Sequence, residues 1–235
     1  MDTDEIPVGR VLTRREAVAL LALSGVSLLA GRASAAPACI VRPAQTEGPY
    51  FVEERLNRAD IRSDPATGEV RPGAMLALAF NVSTLRGGAC APLAGAVVDV
   101  WHCDATGIYS DARDPGGSTV GQKFLRGAQT TDAAGLARFT TIYPGWYPGR
   151  AVHIHFKVRT APAAARGHEF TSQIYFDDAV TDQIYAQEPP YARRGQRRLR
   201  NEADGLFRSG GRQLLAVVAR AEQGYTTSFD LALSA

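Results

Sequence analysis

Seven short runs rich in valine, isoleucine and aromatic residues constrain the fold of this chain most strongly. Such residues favour strands, and the glycine, proline, aspartate and asparagine residues between the runs favour turns. The predicted strands are Met75 to Thr84, Gly95 to Cys103, Leu136 to Ile142, Val152 to Arg159, Phe170 to Phe176, Gln213 to Arg220 and Tyr225 to Leu233. The pattern predicts an all-β fold, a two-sheet β-sandwich without regular helices between its strands.

The C-terminal runs leave one alternative open. Gln213 to Arg220 and Tyr225 to Leu233 predict a closing hairpin that turns at Gln223-Gly224, whereas Gln213 to Ala221 also fits a helix. The chain has 235 residues, of which 45% are hydrophobic, so it can bury the core of one sizeable domain or two small ones.

The net charge of the chain is only +2, which argues against a polyanionic partner. The segment Arg193 to Arg200 holds five arginines, with Asn201, Glu202 and Asp204 close behind. We interpret it as a solvated loop whose charges pair with one another, and we expect no nucleic-acid partner. The alanine-rich stretch Ala161 to Arg166 is interpreted as a surface loop.

The first 35 residues have the order of features found in an export signal. The segment Thr13-Arg14-Arg15 precedes an apolar run, Ala17 to Ala30, and Ala33-Ser34-Ala35 supplies small residues for cleavage. The arginine pair favours the twin-arginine route, although ordinary signals also carry such pairs. The alternative is an N-terminal helix of the fold. We expect export to the periplasm or beyond, a mature domain over residues 36–235, and no stable membrane span in it.

The three cysteines are Cys39, Cys90 and Cys103. Export to an oxidising compartment predicts one disulfide with one thiol left over, and the sequence does not choose among the three pairings.

Two histidines mark the candidate metal site. Residues two apart on a strand point to the same face, so His153 and His155 present their imidazoles side by side while Ile154 points to the core. The pair can bind one metal ion, or it can simply lie on a polar sheet face. The other histidines, His102 and His168, are interpreted as structural and solvent-exposed, respectively.

Two tyrosines favour a metal site over a polar sheet face. Tyr147 lies in a proline- and glycine-rich loop six residues before His153, and Tyr109 follows another predicted strand. A phenolate is a hard anionic oxygen donor, so two phenolates with two neutral imidazoles favour a ferric ion. Tyr143 is an alternative to Tyr147 as one of the two phenolate ligands.

Several runs of the sequence together resemble the intradiol ring-cleavage dioxygenases. They are Thr46 to Phe51, Gly95 to Trp101, Asp104 to Tyr109, Phe139 to Tyr147 and Arg150 to Phe156, within a match that covers residues 39–178. The resemblance implies a β-sandwich that carries Fe(III) on loops and strand ends. It implies Tyr109, Tyr147, His153 and His155 as ligands, with Tyr147 and His155 axial and the other two equatorial.

The resemblance also implies a reaction. A catechol-type diol would bind through both oxygens, Tyr147 would accept one proton, and dioxygen would open the ring between the hydroxyls to a muconate-type diacid. Arg150 matches the family's active-site arginine and Gln173 a glutamine that lines the site. The chain lacks the helical N-terminal region of the catechol branch, and it resembles more closely the protocatechuate branch or small exported members.

Two rival interpretations remain. A zinc or copper protein would use the two histidines but would not explain the tyrosines. An exported β-sandwich that binds aromatic or cell-wall ligands without turnover would keep the fold and lose the chemistry. The sequence leaves open which diol is the substrate, and both a monomer and a homo-oligomer fit it.

Overall fold

The structure is a computed structural model that describes residues 39–114, 117–160, 168–193 and 195–234. The predicted export signal and the loop Ala161 to Arg166 therefore lie outside the described residues. No helix within those described ranges is long and apolar enough to cross a membrane.

The first sheet is built around a long central strand, β1 (Met75–Arg86). The parallel strand β12 (Tyr225–Ser234) lies on one side of β1, and β11 (Val218–Arg220) pairs with the outer edge of β12. The other side of β1 is shared by β2 (Ala89–Pro92) and β7 (Leu136–Ile142), which are both antiparallel to it. Along β1 the side chains of Leu76, Leu78, Phe80 and Val82 are buried in alternation, as expected for a strand with one face on a core.

The second sheet carries the candidate site. Its strand order is β10 (Leu215–Ala216), β9 (Glu169–Phe176), β8 (His153–Arg159), β3 (Val97–Trp101) and β6 (Arg126–Thr130). The small hairpin of β4 (Arg113–Asp114) and β5 (Gly117–Ser118) stands apart from both sheets. The central strand β8 is buried on both faces, which requires that something cover the outer face of this sheet.

The core lies between the two sheets and is rich in aromatic rings. The ring centroid of Phe156 on β8 lies 5.2 Å from that of Phe80 on β1 and 5.4 Å from that of Phe229 on β12. Contacts of this kind across the interface identify a sandwich-like core, and the predicted fold class is confirmed.

The described residues include short helices that the sequence interpretation did not anticipate. They are α1 (Asp178–Gln187), α2 (Pro189–Ala192) and α3 (Gly205–Arg208), with 3₁₀ turns at Asn201–Ala203 and Gly211–Leu214. The helix α1 begins after Asp177, whose carboxylate accepts hydrogen bonds from the backbone of Ala179 and Val180. The predicted C-terminal hairpin is confirmed, but its first strand is short and follows the 3₁₀ turn.

The prediction that the charges of the arginine-rich segment pair with one another in a solvated loop was wrong. The Arg197 side chain is only 3% exposed and donates to Asp178 and Asp182 of α1. Arg200 also pairs with Asp182. These arginines therefore attach the segment to α1 and do not pair within a solvated loop.

The single predicted disulfide is confirmed, and the structure selects Cys39 and Cys90 as its two halves. Cys103 is buried, and its thiol donates to the carbonyl oxygen of Gly145 at 3.4 Å.

Candidate metal centre

The paired histidines lie on the outer face of β8 and are almost completely buried, with 2% of His153 and 1% of His155 exposed. The Nδ1 atom of His153 lies 2.6 Å from the carbonyl oxygen of Ala151. Because a carbonyl only accepts, Nδ1 carries the proton and Nε2 has a free lone pair. This is the orientation that a metal-binding histidine requires.

The two imidazoles meet at their Nε2 atoms, which lie 3.0 Å apart. Two nitrogens that bind one metal ion at about 2.1 Å with a right angle between them lie about 3.0 Å apart. Burial lowers the pKa of His153 to about 3, with the positive charge of Arg150 acting in the same direction. Burial likewise lowers the pKa of His155, so both rings are neutral and able to donate lone pairs.

Tyr109 is placed by a tight turn after β3. The carboxylate of Asp104 accepts hydrogen bonds from the backbone of Thr106 and Ile108, and Thr119 holds the Tyr109 carbonyl at 2.7 Å. The Tyr109 ring is 1% exposed, and its hydroxyl is buried without a hydrogen-bond partner among the described residues. A buried polar atom in that state is costly, and a metal ion would satisfy it.

Tyr147 reaches the same point from the loop before β8. Its hydroxyl oxygen lies 3.2 Å from Nε2 of His153, and its ring centroid lies 5.6 Å from that of Tyr109. The loop approaches the Tyr109 turn at Gly145, whose backbone donates to Asp104. A Cβ on Gly145 would collide with the backbone of Asp104 and Ala105, so glycine is required for this approach.

The two tyrosines of this loop point in different directions. Tyr143 is buried in the core, where its hydroxyl lies 2.7 Å from that of Thr181 on α1. Tyr143 therefore points away from the histidine pair, while Tyr147 points toward it.

The site has the donor chemistry of a highly charged cation. Among the described residues, no group of three or more His, Cys, Asp or Glu side chains could hold a metal ion, and the tyrosine hydroxyls are the further donor atoms beside the histidine pair. Burial raises the pKa of Tyr109 well above its usual value, and the neighbouring Tyr147 raises it further. Burial also raises the pKa of Tyr147. Phenols in this environment ionise when a strong cation binds beside them.

Arg150 borders the histidine pair at the centre of a hydrogen-bond network. Its Nη1 atom lies 3.5 Å from Nε2 of His153, and its Nε donates to Asp204 at 2.9 Å. Its Nη2 donates to the side-chain oxygen of Gln173 at 2.6 Å and to the Tyr175 hydroxyl at 3.1 Å. The strand register explains these neighbours, because Gln173 and Tyr175 on β9 lie directly opposite His155 and His153 on β8.

A cavity of about 640 Å³ opens beside Tyr147. Tyr50 forms part of its wall, and its ring stacks on that of Tyr109 with 4.1 Å between centroids. The Tyr50 hydroxyl donates to Asp114, and burial together with this bond raises the pKa of Tyr50 to about 12. Tyr50 therefore remains a protonated wall residue of the cavity.

The site also includes Asp204, Tyr50 and Gly48, to which the sequence assigned no role. Asp204 had been grouped with the arginine-rich segment, and its contact with Arg150 joins residues that are 54 positions apart. Tyr50 and Gly48 lie in one of the runs that carry the family resemblance, so that run was the available signal. Gly48 has a φ of +71°, and a Cβ on it would lie 3.3 Å from the His155 ring.

The remaining histidines behave as expected. The Nδ1 atom of His102 bonds to the Cys103 carbonyl at 2.8 Å, and its Nε2 atom bonds to the Thr141 hydroxyl at 2.7 Å. His168 is exposed.

Comparisons with known proteins show what this chain is similar to. A family profile described as dioxygenase matches residues 46–233. A solved intradiol ring-cleavage dioxygenase from Tetranychus urticae is 31% identical, with a TM-score of 0.70 over 83% of this chain and 95% of that one. The dioxygenase domain of a carbohydrate-binding fusion from Streptomyces sp. SirexAA-E is also 31% identical, with a TM-score of 0.57 over 83% of this chain and 99% of that one.

The curated relatives match over a smaller part of the chain. A chlorocatechol 1,2-dioxygenase from Pseudomonas putida is 29% identical over 56% of this chain and 52% of its own length. A protocatechuate 3,4-dioxygenase beta chain from Burkholderia cepacia is 33% identical over 42% of this chain and 43% of its own length. The chain thus spans about half the length of the curated relatives that it matches.

Proposed function

The chain belongs to the intradiol ring-cleavage dioxygenase family, and we propose that it cleaves a catechol-type diol with dioxygen. The product would be a muconate-type diacid, because the ring opens between its two hydroxyls. The proposed metal is Fe(III), held by Tyr109, Tyr147, His153 and His155. The convergence of these four side chains beside a cavity is the observation that carries the proposal.

The donor set fits a ferric ion. Two phenolate oxygens are hard anionic donors, and the two imidazoles are neutral with their Nε2 atoms directed at one point. A bound ferric ion would act as a Lewis acid and as a template for the diol.

Tyr147 is the residue best placed to take a substrate proton. Its side chain borders the cavity, and its hydroxyl oxygen also lies beside the histidine pair. As a phenolate it would accept the proton of an entering diol hydroxyl, since the buried phenol holds its proton strongly.

Arg150 is proposed to stabilise negative charge that develops on the ring and on the oxygens of the reacting diol. Although burial disfavours its charge, the neighbouring Tyr175, Tyr147 and Asp204 outweigh burial and raise the pKa of the guanidinium. Gln173 and Asp204 fix the plane of the guanidinium, so its donors are oriented before the substrate arrives.

We also propose that the enzyme works outside the cytoplasm after removal of the first 35 residues. The Cys39–Cys90 disulfide supports this location, because disulfides persist in oxidising compartments.

The test is oxygen consumption by iron-loaded protein with catechol, together with identification of the product. We expect oxygen uptake matched by a muconate-type diacid. An aldehyde acid from cleavage beside the hydroxyls would contradict intradiol chemistry. Catechol binding without oxygen uptake would instead support an aromatic-binding protein without turnover.

A further inference from the structure

The lining of the cavity beside the proposed metal centre includes a single charged side chain among its described residues. Of the described residues that line the cavity, Asp114 is the one with a charged side chain, and the others are aromatic, aliphatic, glycine or hydroxyl residues. Asp114 accepts the hydrogen bond of the Tyr50 hydroxyl at 2.9 Å.

The Tyr50 side chain connects this charge to the proposed centre. Its ring stacks on Tyr109 with an interplanar angle of 9°, and its hydroxyl end reaches Asp114. The edge of the same ring faces Tyr147, with 6.1 Å between centroids. The carboxylate of Asp114 therefore lies about one phenol ring away from the two tyrosines and borders the same cavity as Tyr147.

Among the described residues that line the cavity there is no arginine or lysine. Arg113 is the neighbour of Asp114 on β4, and successive side chains of a strand point to opposite faces. Arg150 is held by Asp204, and Arg198 lines an adjoining pocket that shares Tyr147 and Pro148 with this cavity. A substituent that leaves the cavity past Tyr50 therefore meets a negative group.

We propose that Asp114, oriented by Tyr50, selects catechols whose ring substituent ends in a cationic group, such as an alkylammonium arm, over catechols that carry a carboxylate. This inference rests on the proposed ring-cleavage function and adds the class of its substrate. An ammonium group would form a charge-assisted contact with Asp114, whereas a carboxylate at the same place would be repelled.

Three catechols of matched shape test the proposal: 4-(2-aminoethyl)catechol, 4-ethylcatechol and 3-(3,4-dihydroxyphenyl)propanoate. Their dissociation constants are measured by anaerobic titration of the iron-loaded protein, followed by its visible absorption. We expect the ammonium compound to bind about twofold to fivefold more tightly than 4-ethylcatechol, and the carboxylate compound to bind more weakly by a similar factor. The difference should shrink as sodium chloride is raised, because exposed charges are screened.

The substitution Asp114→Asn retains an oxygen for the Tyr50 hydrogen bond and removes the charge. We expect it to bring the ratio of the ammonium and carboxylate dissociation constants close to one. Glu222→Gln removes one negative charge from the exposed turn between β11 and β12, away from the cavity lining, and should leave the ratio unchanged.

Two failures are distinguishable. If the three catechols bind equally well, or if Asp114→Asn leaves a clear ammonium preference intact, the proposed selectivity is wrong while the ring-cleavage function stands. If none of the three catechols binds to iron-loaded protein or is cleaved by it, both the proposed function and the proposed selectivity are wrong.

Discussion

At the scale of single residues, the contact between Arg150 and Asp204 shows how an arginine beside the candidate site is fixed in place. One carboxylate oxygen of Asp204 accepts from Arg150 Nε and from the backbone of Ala151 at 2.8 Å. The other oxygen accepts from the backbone of Leu206 at the start of α3. Burial favours the neutral form of Asp204, but these bonds outweigh it and lower the pKa of the carboxyl. The charge that orients Arg150 is therefore itself held by two backbone segments.

Substitution of Arg150 separates a catalytic role from a structural one. We expect Arg150→Ala to keep near-normal iron content and resting colour and to lose about a hundredfold in turnover, because a preorganised donor is removed. The Arg150→Lys variant should also turn over slowly, because it keeps the positive charge but loses the planar set of guanidinium donors. Iron content and turnover are measured on the same preparation.

The matched control is Arg138→Ala, which removes an exposed arginine paired with Asp132. It should leave turnover unchanged. If Arg150→Ala instead loses iron and stability together while each loaded molecule stays active, Arg150 only braces the loop.

Sequence spacing predicted some of these residues and missed others for physical reasons. The alternation of strand residues is a local rule, so it placed His153 and His155 on one face and Ile154 in the core. Tyr143 and Tyr147 both lie in the same loop, and only the path of the backbone decides which one turns inward. Asp204 meets Arg150 through the tertiary fold, and a single sequence carries no signal for such a contact.

At the scale of elements, the segment 39–51, called here the N-terminal strap, covers the outer face of the second sheet. It begins at the disulfide and forms a parallel bridge between Val41 and Ala232 of β12. It then crosses to β9, where the backbone of Gln45 donates to Thr171 at 2.9 Å.

The strap ends at the candidate site. The carbonyl oxygen of Thr46 accepts from Gln173 at 2.9 Å, and the Gln45 side chain accepts from the Tyr175 hydroxyl at 2.9 Å. Both partners contact Arg150. The disulfide thus anchors a segment that supports the arginine network.

Removal of the disulfide should weaken both the fold and the reaction. For Cys39→Ser with Cys90→Ser, we expect a loss of about 2 to 4 kcal/mol in the free energy of unfolding, because the bond closes a loop of 51 residues. Turnover should fall as well, since the strap would hold Gln173 and Tyr175 less firmly. Chemical denaturation and oxygen uptake provide the two measurements.

A thiol reductant serves as the control. It should lower the stability of the wild-type protein and leave the double variant unaffected. Equal stability of the two proteins under oxidising conditions would show that the disulfide does not anchor the strap.

The strands that the sequence failed to predict have few strand-forming residues. The longest helix that it failed to predict directly follows a strongly predicted strand. β2 (ACAP) and β6 (RGAQT) lack β-branched residues apart from a terminal threonine, and pairing with β1 and β3 makes them strands. The start of α1 was readable, because Asp177 is a typical N-cap and Thr181, Ile184 and Tyr185 are buried at helical spacing. It was overlooked because it follows the strand β9 directly.

At the scale of the whole molecule, the residues that form the core of the described domain differ from those that form the candidate site. The aromatic core between the two sheets fixes β8, and the loops at the outer face of the second sheet bring Tyr109, Tyr147 and Arg150 close to its two histidines. Loop residues can therefore change substrate choice without disturbing the core.

Export remains a prediction from the N-terminal sequence. We expect secreted material to begin near residue 36, because the small residues Ala33-Ser34-Ala35 precede that position. Intact-mass measurement of the exported protein checks this, and replacement of Arg14 and Arg15 by lysine should slow export if the twin-arginine route is used. A secreted protein with its first 35 residues intact would contradict the export-signal interpretation.

The visible absorption spectrum of purified protein, recorded with its iron content, tests the central claim most directly. We expect about one ferric ion per chain and a visible band from tyrosine bound to iron. Tyr109→Phe and Tyr147→Phe should each weaken or shift that band, whereas Tyr143→Phe, which removes a hydroxyl bonded to Thr181, should leave it in place. Colourless protein that binds zinc, or a band that both Tyr109→Phe and Tyr147→Phe leave unchanged, would contradict the proposed centre.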